Sequence, residues 1–292
     1  MSWQAVAEKD FRDAIRSRLL IALTVLFVLF AGGAAYFAAQ IRPPPQVQFG
    51  GELTTVALIS GLLGPVSVFI PVVAIAAAYR AVAGERQSGS LKFLLSLPNS
   101  RRDVLVGKFL GRAGVVTAAL LAGFGVGLFV VASLAEGFSA PEYLAFVVVS
   151  LLLAFVFVSV AVGVSAFTTS TTRAAYGAFG VFVLFQFLWN VLVAGFVYAA
   201  NGFEFPGPEE EFPEWLRTAA EFLTIVDPTA AYQQGVLWVG RQLAESANGQ
   251  AQAGAATDGP FYVQDWFGFV VLLFWVAVPL LVGYWRFQQV DL

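Results

Sequence analysis

The chain has 292 residues, 59% of them hydrophobic and only 12% charged, with a formal net charge of −3 and a mean hydropathy of +0.77. A soluble domain carries about 25% charged residues, so the composition argues against an ordinary water-soluble fold. With no Cys, no His and one Met, the chain has no material for disulfides, thiolate or imidazole metal sites, or nucleophile–base pairs built on His or Cys.

The remaining charges are clustered. Asp, Glu, Lys and Arg are absent from Leu19–Ile41, Leu53–Tyr79, Ala113–Ala135, Tyr143–Thr172, Ala174–Phe203 and Trp266–Trp285. Each run reaches the roughly 20 residues a helix needs to cross a bilayer. Helices are the expected spanning element, because each satisfies its own backbone polar groups. The fold class is therefore an all-α membrane protein with six transmembrane helices, over 19–39, 56–79, 113–134, 143–167, 174–200 and 266–285 of a single domain, 1–292.

In chain order, residues 3–18 come first. Trp3, Val6, Ala7, Phe11, Ala14 and Ile15 recur at helical spacing, predicting an amphipathic helix in the membrane interface. An ordinary basic flank to the first span is the alternative. About eighteen polar and amphipathic residues precede the first apolar run, which is too long for a signal-peptide core, so it is read as a permanent span. Pro43-Pro44-Pro45 predicts a stiff extended connector. Pro65 and Pro71 predict kinks in the second span.

Between the second and third spans lies segment 84–108. Leu91, Leu94 and Leu95 give a short apolar face that Pro98 ends, and Ser100 with Asp103 forms a capping box opening a basic helix into the third span. Either this segment docks on a partner protein or it rests on the membrane surface. A short turn at Gly137–Pro141 makes spans three and four a hairpin. Thr168–Thr172 with Arg173 forms the turn into span five, where Gln186 and Asn190 sit four apart. These two either line a translocation path or join helices at a subunit interface. Segment 201–265 is an acidic loop, helical over Trp215–Gln242 with a break at Asp227-Pro228 and low in complexity over Asn248–Gly259.

Lys9, Arg12, Arg16, Arg18, the seven bases of 80–112, Arg173 and Arg286 fall in alternate segments, 13 of the 16 basic residues. Positive segments stay inside, so both termini are expected in the cytoplasm, with 201–265 extracellular. Scarce Lys and abundant Arg suggest a prokaryotic, halophilic or high-GC source.

The run Glu85-Arg86-x-x-Gly89-x-Leu91-x-x-Leu94-Leu95-x-x-Pro98-x-x-Arg101-x-x-x-Leu105-x-Gly107-Lys108 resembles the cytoplasmic signature of type 2 ABC transporter permeases, a group that includes the permease-like proteins associated with nitrous oxide reductase maturation. The layout is also similar: an N-terminal elbow helix like 3–18, six spans, a large outer loop between spans five and six, and Asp227-Pro228-Thr229 before the last span. The resemblance implies that Glu85, Arg86, Gly89, Leu91, Leu94, Leu95 and Pro98 form a coupling helix docked on an ABC ATP-binding subunit, supported by Arg101, Leu105 and Lys108. It also implies a second permease copy or paralogue as membrane partner. Because G-x-x-x-x-G-K-[ST] is absent, ATP and Mg belong to a separate chain, and no catalytic, cofactor or metal residue is expected here. The function implied is ATP-driven export of a hydrophobic or amphipathic substrate across the plasma membrane, with the bilayer and not nucleic acid as the other partner. A secondary carrier or channel fits less well, since no span holds an ionisable residue for a proton or sodium relay. An intramembrane enzyme would be limited to a Ser- or Asp-based surface site.

Overall fold

A computed structural model describes residues 3–40, 54–96, 100–135, 137–204, 213–247, 262, 264 and 266–289. Pro43–Pro45, Pro98, Glu209–Glu211 and 248–259 lie outside the described residues, as do the side chains of Leu94 and Leu95. The regular structure described is helical: α1 Trp3–Ile15, α2 Arg18–Gln40, α3 Thr55–Ala78, α4 Ala83–Ser88, α5 Ser90–Ser96, α6 Arg101–Leu134, α7 Ala140–Phe167, α8 Thr171–Val183, α9 Trp189–Ala200, α10 Glu214–Val226, α11 Pro228–Ala247 and α12 Phe267–Gln289. A π-helical turn, Leu184–Leu188, joins α8 to α9.

Six helical stretches are long and apolar enough to cross a bilayer: Arg18–Phe37, Thr55–Ser88, Arg101–Leu134, Ala140–Phe167, Thr171–Ala200 and Phe267–Gln289. The chain is a multi-pass membrane protein. Helix α6 starts well before its charge-free run because Ser100 caps it. Ser100 Oγ accepts from the Asp103 amide at 3.1 Å, and Asp103 accepts from the Ser100 amide at 3.1 Å. Arg101, Arg102, Lys108 and Arg112 thereby ride on the membrane helix itself.

Helix α7 is the hub, packed on α3, α6, α8, α11 and α12. Its crossing with α12 depends on small residues. A Cβ added to Gly163 would stand 2.3 Å from the Pro279 carbonyl oxygen, and one added to Gly283 would stand 2.8 Å from Gly163 Cα. Ser159 donates to the Val276 carbonyl at 2.6 Å, beside Pro279, whose missing N–H loosens the ladder there. Toward α2, Phe27, Phe30, Phe69, Phe124 and Phe146 form a ring cluster. The Tyr143 hydroxyl donates to the Phe124 carbonyl at 2.7 Å, satisfying a polar group in an apolar core.

The α10–α11 pair folds back into the bundle. The Tyr232 and Ser150 hydroxyls are 2.9 Å apart, and Ser150 lies about 15 Å along α7 from Ala140 at about 1.5 Å per residue. The turn between α10 and α11 is closed by Asp227, whose Oδ1 accepts from the Thr229 amide at 2.9 Å, capping a helix that opens on Pro228. Burial pushes the Asp227 carboxyl up to about 6, while the amide bonds from Thr229 and Ala230 pull the other way. Two indoles serve the orphan carbonyls ending α10: Trp189 Nε1 donates to Leu223 at 2.8 Å and Trp275 Nε1 to Val226 at 2.9 Å. The Asp227-Pro228 break in the helical spacing is therefore a turn held inside the bundle.

Candidate functional site

The basic residues gather at one end of the bundle, where α1, α4, α5 and the first turns of α6 meet. Helix α1 sits backbone-close on α6, in contact with Gly107, Gly111 and Gly114. A Cβ on Gly107 would meet Val6 Cβ at 2.6 Å and the Trp3 carbonyl at 2.7 Å, and one on Gly111 would meet the Ala7 carbonyl at 2.9 Å. The buried face of α1 is Val6, Asp10 and Ala14, spaced four apart, while Trp3 and Ile15 are exposed. An acidic residue thus occupies the centre of the packed face.

Asp10 is buried because cations meet it there. Lys108 Nζ donates to Asp10 Oδ1 at 2.8 Å and also donates to Glu85 Oε1. Arg112 Nη2 donates to Asp10 Oδ1 at 3.2 Å, and Nε makes an ion contact with Oδ2 at 2.8 Å. Its Nη1 donates to the Ala77 carbonyl at 2.9 Å, serving the C-terminal turn of α3. Two carboxylates and two cations balance, and the Lys108 side chain is only 5% exposed. One ammonium ties α6 to both α1 and α4.

The start of α4 is fixed from the opposite side. Ser165, near the end of α7, accepts from the Val82 amide at 3.1 Å and the Ala83 amide at 2.9 Å. It serves two N-terminal amides that no residue of α4 caps. Ser165→Ala is expected to cost about 1–2 kcal/mol, read as a lower melting temperature of the solubilised protein, with Ser165→Thr losing less. Arg86 donates to the Thr168 carbonyl at 3.3 Å, and its guanidinium lies 5.0 Å from the Phe287 ring centroid. Arg101 lies 5.5 Å over the same ring and donates to the Phe287 and Gln288 carbonyls. Thr171 Oγ1 donates to Gln87 Oε1 at 2.9 Å.

Of the residues singled out in sequence, the structure joins Glu85 to Lys108 and gathers Arg86 and Arg101 around Phe287. Leu91 and Leu105 are buried in the core. Gly89 ends α4 at φ +77, the left-handed conformation that favours glycine. Gln186 and Asn190 stand apart from this junction, in span five. Gln186 falls in the π-helical turn with Oε1 buried and unbonded, whereas Asn190 is exposed, so the two do not share an environment. Sequence reasoning missed Asp10, Arg112 as its partner, Ser165 and Phe287. The available signal was Val6, Asp10 and Ala14 set opposite the Gly107–Gly111 pair: a charge on an apolar stripe needs a buried counter-ion.

Six membrane-crossing helices, with a basic end where a short helix is tied to its neighbours, describe a multi-pass membrane protein. Residues 4–292 match the family described as ABC-2 family transporter protein, and the chain belongs to that family. It is 29% identical over 288 residues to the probable ABC transporter permease protein NosY of Stutzerimonas stutzeri, covering 97% of each chain. It is 32% identical over 201 residues to the protein of the same name from Pseudomonas aeruginosa, covering 68% of this chain and 71% of that one. The protein is a permease subunit of an ABC transporter.

Proposed function

We propose that this permease is energised by a separate ATP-binding subunit, which carries ATP and Mg and docks on the 84–108 segment, with the basic end in the cytoplasm. The observation that carries this reading is the ion cluster of Asp10, Glu85, Lys108 and Arg112. A docked motor transmits force only through a stiff contact, and α4 is tied to α6 by Lys108, through that ammonium to α1, and by Ser165 to α7. Leu94 and Leu95 supply the apolar contact and Pro98 its end. The cargo is hydrophobic or amphipathic and is exported, in keeping with apolar spans rich in aromatic residues. A second permease copy or paralogue is the other membrane subunit.

Co-purification from the host is expected to bring down an ATPase with a phosphate-binding loop. Leu94→Asp places a charge in the apolar contact and is expected to weaken that association by at least about 30-fold, the scale of a single interface anchor. Affinity unchanged in a folded Leu94→Asp protein would overturn the docking assignment. Labelling of 85–108 from the outside of intact cells would overturn the orientation.

A further inference from the structure

A groove of about 380 Å³ runs between α9 and α10 at the acidic end of the bundle, lined by Val197, Leu216, Ala220, Thr224 and Ile225, with Arg217 and Glu221 at its edge. Its depth is set by hydrogen bonding. Leu223 is held at the level of Trp189 by the indole bond, and Val197 lies about 12 Å further along α9 at about 1.5 Å per residue. One wall is part of span five, which is largely uncovered in this chain. Arg217 sits in the first turn of α10, beside exposed Trp215, while exposed Trp266 precedes α12. Tryptophans at the ends of membrane helices mark headgroup depth. The Arg217–Glu221 contact is 3.4 Å between exposed side chains, a loose pair that leaves the guanidinium available to a stronger anion.

We propose that this groove is a phospholipid site in the leaflet at the acidic end. An acyl chain lies along Val197, Leu216, Ala220 and Ile225, and the headgroup phosphate sits at Arg217. Shape and charge agree: the trough is lined mostly by apolar side chains, and its lining cation, Arg217, can meet a phosphate.

The test uses the full chain in nanodiscs of phosphatidylcholine with a minor fraction of phosphatidylglycerol bearing a diazirine on its acyl chain. Irradiation and peptide mapping are expected to place adducts on both α9 and α10. Ile225→Trp, which fills the trough, is expected to lower those adducts by at least about fivefold, and Ala220→Phe should do the same should the first variant fail to fold. Adducts on the lipid-facing side of α2, at Leu29 and Phe37, should not change. Arg217→Gln is expected to lower the preference for phosphatidylglycerol over phosphatidylcholine by about fivefold. Undiminished labelling in both filled variants would overturn the site. Displacement of the adducts by excess glycerophosphate would mean that free phosphate, not lipid, is recognised. Loss of dimer in Ile225→Trp without loss of labelling would assign the groove to a second copy. None of these readouts depends on ATP or on a docked subunit, so the site and the proposed docking fail separately.

Discussion

Replacing Lys108 by methionine is expected to destabilise the solubilised protein by about 3–5 kcal/mol, the cost of leaving buried charge without its partner. Lys108 is 4% exposed, and its ammonium is shared between Asp10 and Glu85. Methionine keeps most of the volume, so packing changes little and the loss is electrostatic. Asp10 retains Arg112, but Glu85 loses its only ion partner among the described residues. The double variant Lys108→Met with Glu85→Gln is therefore expected to recover part of the loss, and the double-mutant cycle to show a coupling above about 1 kcal/mol. The surface pair Glu8–Arg12 provides the contrast. Its side chains are 62% and 72% exposed, and Arg12→Gln should stay within about 0.5 kcal/mol of wild type. A Lys108→Met protein that melts like the parent would remove the cluster from any account of stability.

The arrangement has a mechanical consequence. Lys108 links helix α1 to α4, since its ammonium donates to Asp10 and to Glu85. The close seat on Gly107 and Gly111 fixes the axis of α1, and the ammonium fixes its register. A push on α4 then moves α6 and α1 together. Motion that separates α4 from α6 must break an ion contact in a site shielded from water, where such contacts are strong.

How much of this was legible in the sequence depended on whether the signal was local. The six spans are runs without charge, and the Ser100–Asp103 box is a spacing of three, so both can be read directly. The Asp227-Pro228 break is readable for the same reason. Its depth is not, because contacts such as the pairing of Tyr232 with Ser150 join residues far apart in the chain. Asp10 looks like one more charge in a basic helix until Lys108 and Arg112 arrive from a distant part of the chain. Ser165 is one of several serines in an apolar span, and nothing local distinguishes it as the cap of α4. The equal spacing of Gln186 and Asn190 suggested one face, but the π-helical turn changes the register between them.

The largest loss is expected from Gly163→Val. The Cβ alone would stand 2.3 Å from the Pro279 carbonyl oxygen and 2.8 Å from its carbon. Both are backbone atoms, and no side-chain rotation relieves the overlap. Relief requires α7 and α12 to separate, which would also stretch the Ser159 bond to Val276 and open the packing of Gly283 on Gly163 Cα. Overpacking of this kind costs about 1–3 kcal/mol where side chains can yield and more where they cannot, so a loss of at least about 3 kcal/mol, or failure to accumulate folded protein, is expected. Gly195 is the control on an uncovered side of α9, because a Cβ there meets nothing within 4 Å. Gly195→Ala should be neutral or stabilising by up to about 1 kcal/mol through helix propensity. Melting curves of both variants in the same detergent separate the two causes. A Gly163→Val protein as stable as Gly195→Ala would show that close approach does not hold the hub helix to α12.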